Sequence, residues 1–579
     1  MSDARAKEIV DLGDRLFAKK DPLNSLHQEI AENFYVERAT FTTEAFLGKD
    51  FAAHVMDSHP MQARRELGDS ISATLRPRDQ QWFKTTTLDE ERDAEPENAR
   101  ALEYVTKTIR SAIYDPRAKF VRATKEGDHD FITFGQCVVS VEESYTRDHL
   151  YYRCFHIRDC AWLENAIGDV DHLHRRDRMT ARTMRRMFGE KVLHKSVKTA
   201  CEKEPGREFN VRVICLPTEE YDYSKLRGDK KGGKKLPYML VYVDADNMQC
   251  LREAPAPDFI YVVPRWRTIS GSQYAFSPAT VAALPDGRMS QALARILLEA
   301  GEKMVDPPML ARSEAIREVN LQAGSLTWAD LETDQKLAEA AVPFNLNGDM
   351  RTGFAMRADL RQLVDNGFYI NKLRLPQTGP DMTATQVRAL IEEHIRNLLP
   401  VFEPMEHEYN TKLLDKSYMR LLAMQKFDPS RLSDDLSSAN VSWGFKNPLQ
   451  EASSRILTQQ YREVFEIETQ AMQTGVKQSS VNMDKARRDG IRGIGVPSTW
   501  IKTEDEIAAD AKKMAQEEMV AKAAQQAATA ADVGQKVGDA ALALQQGGVI
   551  PPPGAQPAAE NDNMRVEIPE DMFADEATA

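Results

Sequence analysis

The chain has 579 residues, 42% of them hydrophobic and 28% charged, with a formal net charge of −13. That length exceeds what a single hydrophobic core sustains, so several domains are expected, and the apolar content excludes disorder as a global state. The acidic balance argues against tight nucleic-acid binding over a large surface, because such binding rests on Lys and Arg displacing counterions from phosphate.

From Met1 to Tyr114 the pattern is mostly helical. Ile9, Val10, Leu12, Leu16 and Phe17 recur at helical spacing and predict an amphipathic helix over Ala4–Phe17. Charges run throughout this stretch, which lacks the uncharged core of a secretory signal, so cytoplasmic synthesis is expected. No apolar run approaches the roughly 20 residues of a membrane span. A further helix runs from Ala99 to Ile113 and is closed by Asp115-Pro116.

Between Phe131 and Trp266 the period changes from 3.6 to 2. Phe134, Cys137, Val139 and Val141 predict a strand, with Tyr151–Ile157 as its partner. Val211–Ile214, Tyr238–Val243 and Phe259–Val263 add three more. A helix over Met179–Phe188, opened near Thr180 and closed by Gly189, interrupts them. The fold class is α+β with mainly antiparallel pairing. The six cysteines have no paired short spacing, which suits free thiols better than a disulfide framework or a Cys-x-x-Cys metal site.

Helices return at Ser277-Pro278, an N-cap followed by proline at the first helical position. Met289, Leu293, Ile296, Leu297, Ala300 and Met304 form one apolar face of a helix that Pro307-Pro308 stops. A polar insertion leads to a second helix, about Thr352–Leu373, with Leu360, Leu363, Val364 and Phe368 on one side. Arg374–Met382 contains two prolines and a glycine and reads as a loop. Thr383-x-x-Gln386 is a capping box opening the longest helix, in which Pro400 and Pro404 predict kinks or breaks. Thr503-x-x-Glu506 opens an Ala-rich helix ended by Gly547-Gly548. The acidic, proline-containing remainder is expected to be disordered.

Catalytic motifs are weak. Gly228–Lys235 follows a phosphate-binding loop as far as the lysine, but Lys235 replaces the magnesium-holding Ser or Thr and Leu236-Pro237 opens a strand where a helix is required. Lys230, Lys231, Lys234 and Lys235 therefore read as a basic hairpin tip able to touch DNA or another particle component. Asp169, Asp171, His172, His174 and Asp177 read as a polar turn balanced by Arg175, Arg176 and Arg178; the two histidines lack a third metal ligand at useful spacing. Glu142-Glu143 and Glu392-Glu393 are adjacent pairs that point apart. Neither an enzyme nor a cofactor or metal site is indicated.

Three stretches in order resemble the head-to-tail connecting (portal) protein family of short-tailed double-stranded DNA phages. They are DFITFGQCVVSVEES (Asp130–Ser144), a glycine-containing strand; Arg265–Leu310, a Tyr and Ser-Pro segment leading into a helix that ends in a double proline; and Met382–Leu422, a threonine-rich cap and long helix. Ala275 stands where a glycine is common in the family, and Gln386 where an acid is common.

The resemblance implies a homo-oligomeric ring, typically of twelve subunits, at one capsid vertex, through which DNA is packaged and ejected. It implies N-terminal helices and an α+β wing over 1–276, stem helices at 277–306 and 352–373, and a clip at 307–351. A tunnel-type loop follows at 374–382, a long wing helix at 383–424 and a wing or crown region at 425–502. The Ala-rich helix (503–547) and disordered tail (548–579) close the chain. Arg374, Gln377, Thr378 and Gly379 are then the loop positions nearest DNA, and Arg288, Arg295, Glu299 and Glu302 a mixed-sign, channel-facing set on the first stem helix. Implied partners are further copies of the chain, double-stranded DNA, the terminase motor, capsid and scaffolding proteins, and tail adaptors, with no membrane. The alternatives are another self-assembling virion component, from the tail or an internal core, and a nucleic-acid enzyme of packaging.

Overall fold

A computed structural model describes residues 4–44, 48, 50–87, 89–93, 95–144, 146–221, 236–305, 309–311, 341–343, 350–373, 393, 396, 405–428, 441–445, 461–470, 481, 486, 487, 490, 491, 496 and 506–522. The chain divides into two compact units, Met1–Ile501 and Lys502–Ala579. In the second, residues 506–522 are helical with nearly every side chain exposed, as expected of an Ala-rich helix with little to bury.

The first unit holds a five-stranded antiparallel sheet of order β4-β5-β6-β7-β8, made of Cys160–Glu164, Val170–Thr180, Glu208–Pro217, Tyr238–Asp244 and Gln249–Ala256. Period-2 alternation sorts its side chains onto two faces. Phe209, Val211, Val213 and Tyr242 face the helices Ala181–Phe188 and Lys195–Lys203 through Met184, Val197 and Ala200. Ile214, Leu216, Met239, Val241 and Val243 face the opposite way, onto Ala6 and Val10 of the N-terminal helix α1 (Ala4–Phe34).

α1 continues well past Phe17, through Pro22. Sequence periodicity fades there because the buried positions are Lys20, Asn24, His27 and Gln28; Asn24 donates to Asp21 one turn away, and the other three meet partners distant in sequence or aromatic rings. Lys20 Nζ donates to the carbonyls of Ile157 (2.5 Å) and Cys160 (2.7 Å), and Gln28 Oε1 accepts from the Phe41 amide at 2.8 Å. His27 packs against Phe41 and Phe134.

The main core lies between α1, α2 (His59–Leu75), α3 (Pro96–Ile113), α4 (Phe120–Phe134) and a three-stranded sheet, β3-β2-β9. β2 is Val138–Glu143, β3 Leu150–Phe155 and β9 Tyr261–Val262, with Val138 opposite Phe155. Two small antiparallel pairs complete the sheets. Phe83–Thr86 (β1) meets Ser442–Phe445 (β12), and Met309–Ala311 (β10) meets Ala341–Pro343 (β11).

Three expectations need correction. Phe134 ends a helix instead of starting a strand, so Asp130–Ser144 is helix, turn and strand; the turn is Gly135, at φ +79°. Residues 170–177 form most of β5, a strand paired on both edges, not a polar turn. Burial is tolerated there because Arg175 pairs with Asp177 (2.6 Å) and lies over Phe155, while His172 and His174 stack with ring centroids 4.9 Å apart. The helix expected over Thr352–Leu373 spans Met350–Gly367 and breaks at Tyr369, at φ +58°, before a short turn Ile370–Leu373. All six cysteines are free thiols.

Candidate functional site

The helix pair that the sequence singles out is α7 (Leu284–Val305) and α8 (Met350–Gly367). Ser277 caps the approach to α7: its Oγ accepts from the Thr280 amide at 3.1 Å and donates to the Thr133 carbonyl at 2.7 Å. A π-helical turn, Ala279–Ala283, leads into α7, so Pro285 sits inside a helix already begun. Small residues set the close approach of the pair. A Cβ on Gly353 would lie 2.5 Å from Leu297 Cδ2, and one on Gly367 would lie 3.2 Å from Ala283 Cβ.

A buried carboxylate ties both helices to the body. Asp57, in the segment before α2, accepts from Arg361 Nη2 (2.8 Å) on α8 and Ser290 Oγ (2.7 Å) on α7, with Arg357 at 3.7 Å. Gln291 Oε1 accepts from the amides of Met56 and Asp57 at 2.8 and 2.9 Å, and its Nε2 donates to the Asp57 carbonyl. His59 Nε2 meets Asp365 at 2.9 Å. Burial pushes the Asp57 carboxyl up, but the bonds from Arg361 and Ser290 outweigh it and hold it at about 2. Sequence reasoning missed this hub. The one available signal was Arg357 and Arg361 four residues apart, two cations on one flank of a helix read as amphipathic.

The apolar face expected on α7 splits in two. Leu284, Gly287, Ser290, Ala294 and Leu297 are buried within the chain. Met289, Ile296 and Met304 are not; Ile296 is 59% exposed. On α8, Val364 is buried, whereas Met356 and Leu363, seven residues apart on one flank, are exposed, as is Phe354. Each helix thus keeps an apolar flank after packing on its partner.

Of the mixed-sign set on α7, Arg288 pairs with Glu29 of α1 at 2.6 Å and Arg295 with Glu299 at 3.0 Å, while Glu302 is exposed. Arg374, Gln377, Thr378 and Gly379 lie outside the described residues, as do Lys230, Lys231, Lys234 and Lys235, most of 307–349, nearly all of 383–404 with Pro400 and Pro404, and the segment after 522. The end of the expected long helix is described: a π-helical turn Glu406–Thr411, then α9 (Lys412–Ala423). Arg76, the residue after α2, anchors it, donating to Asn410 Oδ1 at 2.9 Å, pairing with Asp128 and lying over Tyr409.

Among the described residues no group of three or more His, Cys, Asp or Glu could hold a metal ion, and no helix is long and apolar enough to cross a membrane. His172 Nδ1 is occupied by Glu220 at 3.0 Å, and the Nε2 atoms of His172 and His174 face each other at 2.9 Å. Burial lowers the proton affinity of both rings.

The chain is 24% identical over 421 residues to a probable portal protein of Bordetella phage BPP-1, covering 70% of this chain and 72% of that protein. A solved assembly titled "Neck of empty GTA particle computed with C6 symmetry" matches at 10% identity over 78% of this chain and 96% of that one; its TM-score of 0.30 is too low for a shared fold to rest on it. Residues 6–501 match the family described as bacteriophage head to tail connecting protein. The chain belongs to the bacteriophage head to tail connecting protein family.

Proposed function

We propose that this connector is the portal subunit of a double-stranded DNA phage: a structural protein, not an enzyme, that closes into a ring at the capsid vertex where head meets tail. The observation that carries the reading is the apolar flank left on each of α7 and α8 in a chain of this family. A flank of one subunit against a different flank of the next is a heterologous contact, and rotation that closes makes a ring instead of a filament. Each large apolar side chain so covered contributes about 1 kcal/mol, enough over several residues and a full circle to hold a ring.

In this reading 277–306 and 352–373 form the stem, and 307–351 is the clip that docks the packaging motor. The α+β body and 383–424 form the wing. Arg374, Gln377, Thr378 and Gly379 approach the DNA in the channel, and tail adaptors bind after filling. Twelve copies, the number the family resemblance implies, assemble with capsid and scaffolding proteins in the host cytoplasm. The work of translocation comes from the separate motor, since Gly228–Lys235 lacks the hydroxyl and the helix that a nucleotide site needs. Heads assembled with and without the chain test this. Only heads containing it should take up DNA in a packaging reaction, and equal uptake by both overturns the reading. Deleting Gln377–Pro380 should leave rings intact while packaging or DNA retention falls; unchanged packaging and retention remove the loop from the DNA path.

A further inference from the structure

The outer face of the five-stranded sheet carries a charge opposite to that of the chain. Between Arg178 and Arg207 there are nine Lys and Arg against three Glu, within a protein of net charge −13. The helices Ala181–Phe188 and Lys195–Lys203 spend Ala181, Met184, Val197 and Ala200 on the core and turn their cations outward. Arg182, Arg185 and Arg186 are exposed at spacings of three and four, which places them on one side of their helix. Arg185 is matched by Glu190 at 3.1 Å. Among the described residues Arg178, Arg182, Arg186, Lys191, Lys195 and Lys198 make no ion pair, so their charge is available to a ligand.

We propose that this helical face is a second DNA-contacting surface, one that binds the phosphate backbone of duplex DNA without reading sequence. Two observations favour a nucleic acid over an acidic protein. The patch is rich in arginine, whose planar fork bonds phosphate in bidentate fashion. It also lacks the apolar anchor on which protein interfaces depend: among the described residues between Ile167 and Ile269 no large hydrophobic side chain is exposed. Backbone binding to DNA needs no such anchor. The surface is distinct in sequence from the loop 374–382 and goes beyond the channel reading.

Covalently closed circular duplex DNA separates the two, since a closed circle cannot thread a preformed ring. The full-length protein should retain circular DNA with steep salt dependence. The variant R182Q/R186Q/K195Q should bind at least ~10-fold more weakly at moderate salt, with a log–log salt slope shallower by about 2–3, near one unit per lost phosphate contact. R182K/R186K/K195R, which keeps the charge but moves the forks, should keep the parent's salt slope, and a circular dichroism spectrum and melting of the glutamine variant equal to the parent's exclude a folding defect as the cause. Equal retention of circular DNA by the glutamine variant overturns the proposal. So does a loss confined to binding of polyglutamate, which would assign the surface to an acidic protein.

Discussion

Asp57 shows how much a single carboxylate can hold. It bonds residues 233 and 304 positions away in the chain, one on each helix of the pair. Asp57→Asn should cost about 1–3 kcal/mol in denaturant unfolding at neutral pH, because Arg361 and Ser290 lose a charged acceptor. Since the folded carboxyl sits at about 2 and the ordinary value is 3.8, this contribution is fully present above pH 3.8 and is lost as pH falls through about 2. The gap between wild type and variant should therefore narrow over that window. Histidines act over a different one. Burial presses His27 to about 3, His129 to about 4 and His156 to about 2, from an ordinary 6.5. Below pH 6.5 the unfolded chain binds protons that the folded chain refuses, so stability should decline from there downward. Thermal melts at pH 7.5 and 5.5 check this; equal melting temperatures would show that these rings do not stay neutral. None of these residues could be ranked from sequence, because burial and distant partners, not local spacing, set their behaviour.

At the level of elements, periodicity was a good guide wherever one face of a helix or strand was buried and the other wet. The Thr180-capped helix was legible for that reason, whereas the strands at Val211–Ile214 and Tyr238–Val243 and the pairing of Tyr151–Ile157 with the strand after Gly135 were legible from their runs of β-branched and aromatic residues, several of them buried on both faces. Strand β5 was not, since His172 through Arg175 are all buried and alternate no polarity. α1 was read only to Phe17 because polar residues fill its later core positions. Gly135 marks where helix gives way to strand. Its positive φ, and the Phe276 carbonyl carbon 2.5 Å from where a Cβ would stand, leave no room for a side chain. Gly135→Ala should lower stability by at least about 1–3 kcal/mol, the cost of the φ alone; a melting temperature unchanged from wild type would contradict this placement. The exposed flanks make a separable prediction. Ile296→Asp alters a side chain that packs on little within the subunit, so its circular dichroism and melting should match the parent while sedimentation shows loss of the assembled species. Full assembly by this variant would remove the α7 flank from the subunit contact.

For the whole molecule, composition bounded little beyond several domains and an acidic surface. The family was legible from three segments in the right order, and the match over residues 6–501 bears that out. The loop expected to approach DNA, and the basic tip at 230–235, rest on resemblance and composition, since both lie outside the described residues. What the structure adds is that a polar hub fixes the helix pair to the body while an apolar flank of each helix stays exposed. Negative-stain electron microscopy of the purified full-length protein, averaged along the particle axis, tests the portal assignment most directly. The account predicts closed rings with an axial hole and a fixed subunit number; a population of monomers or open fibres would contradict it.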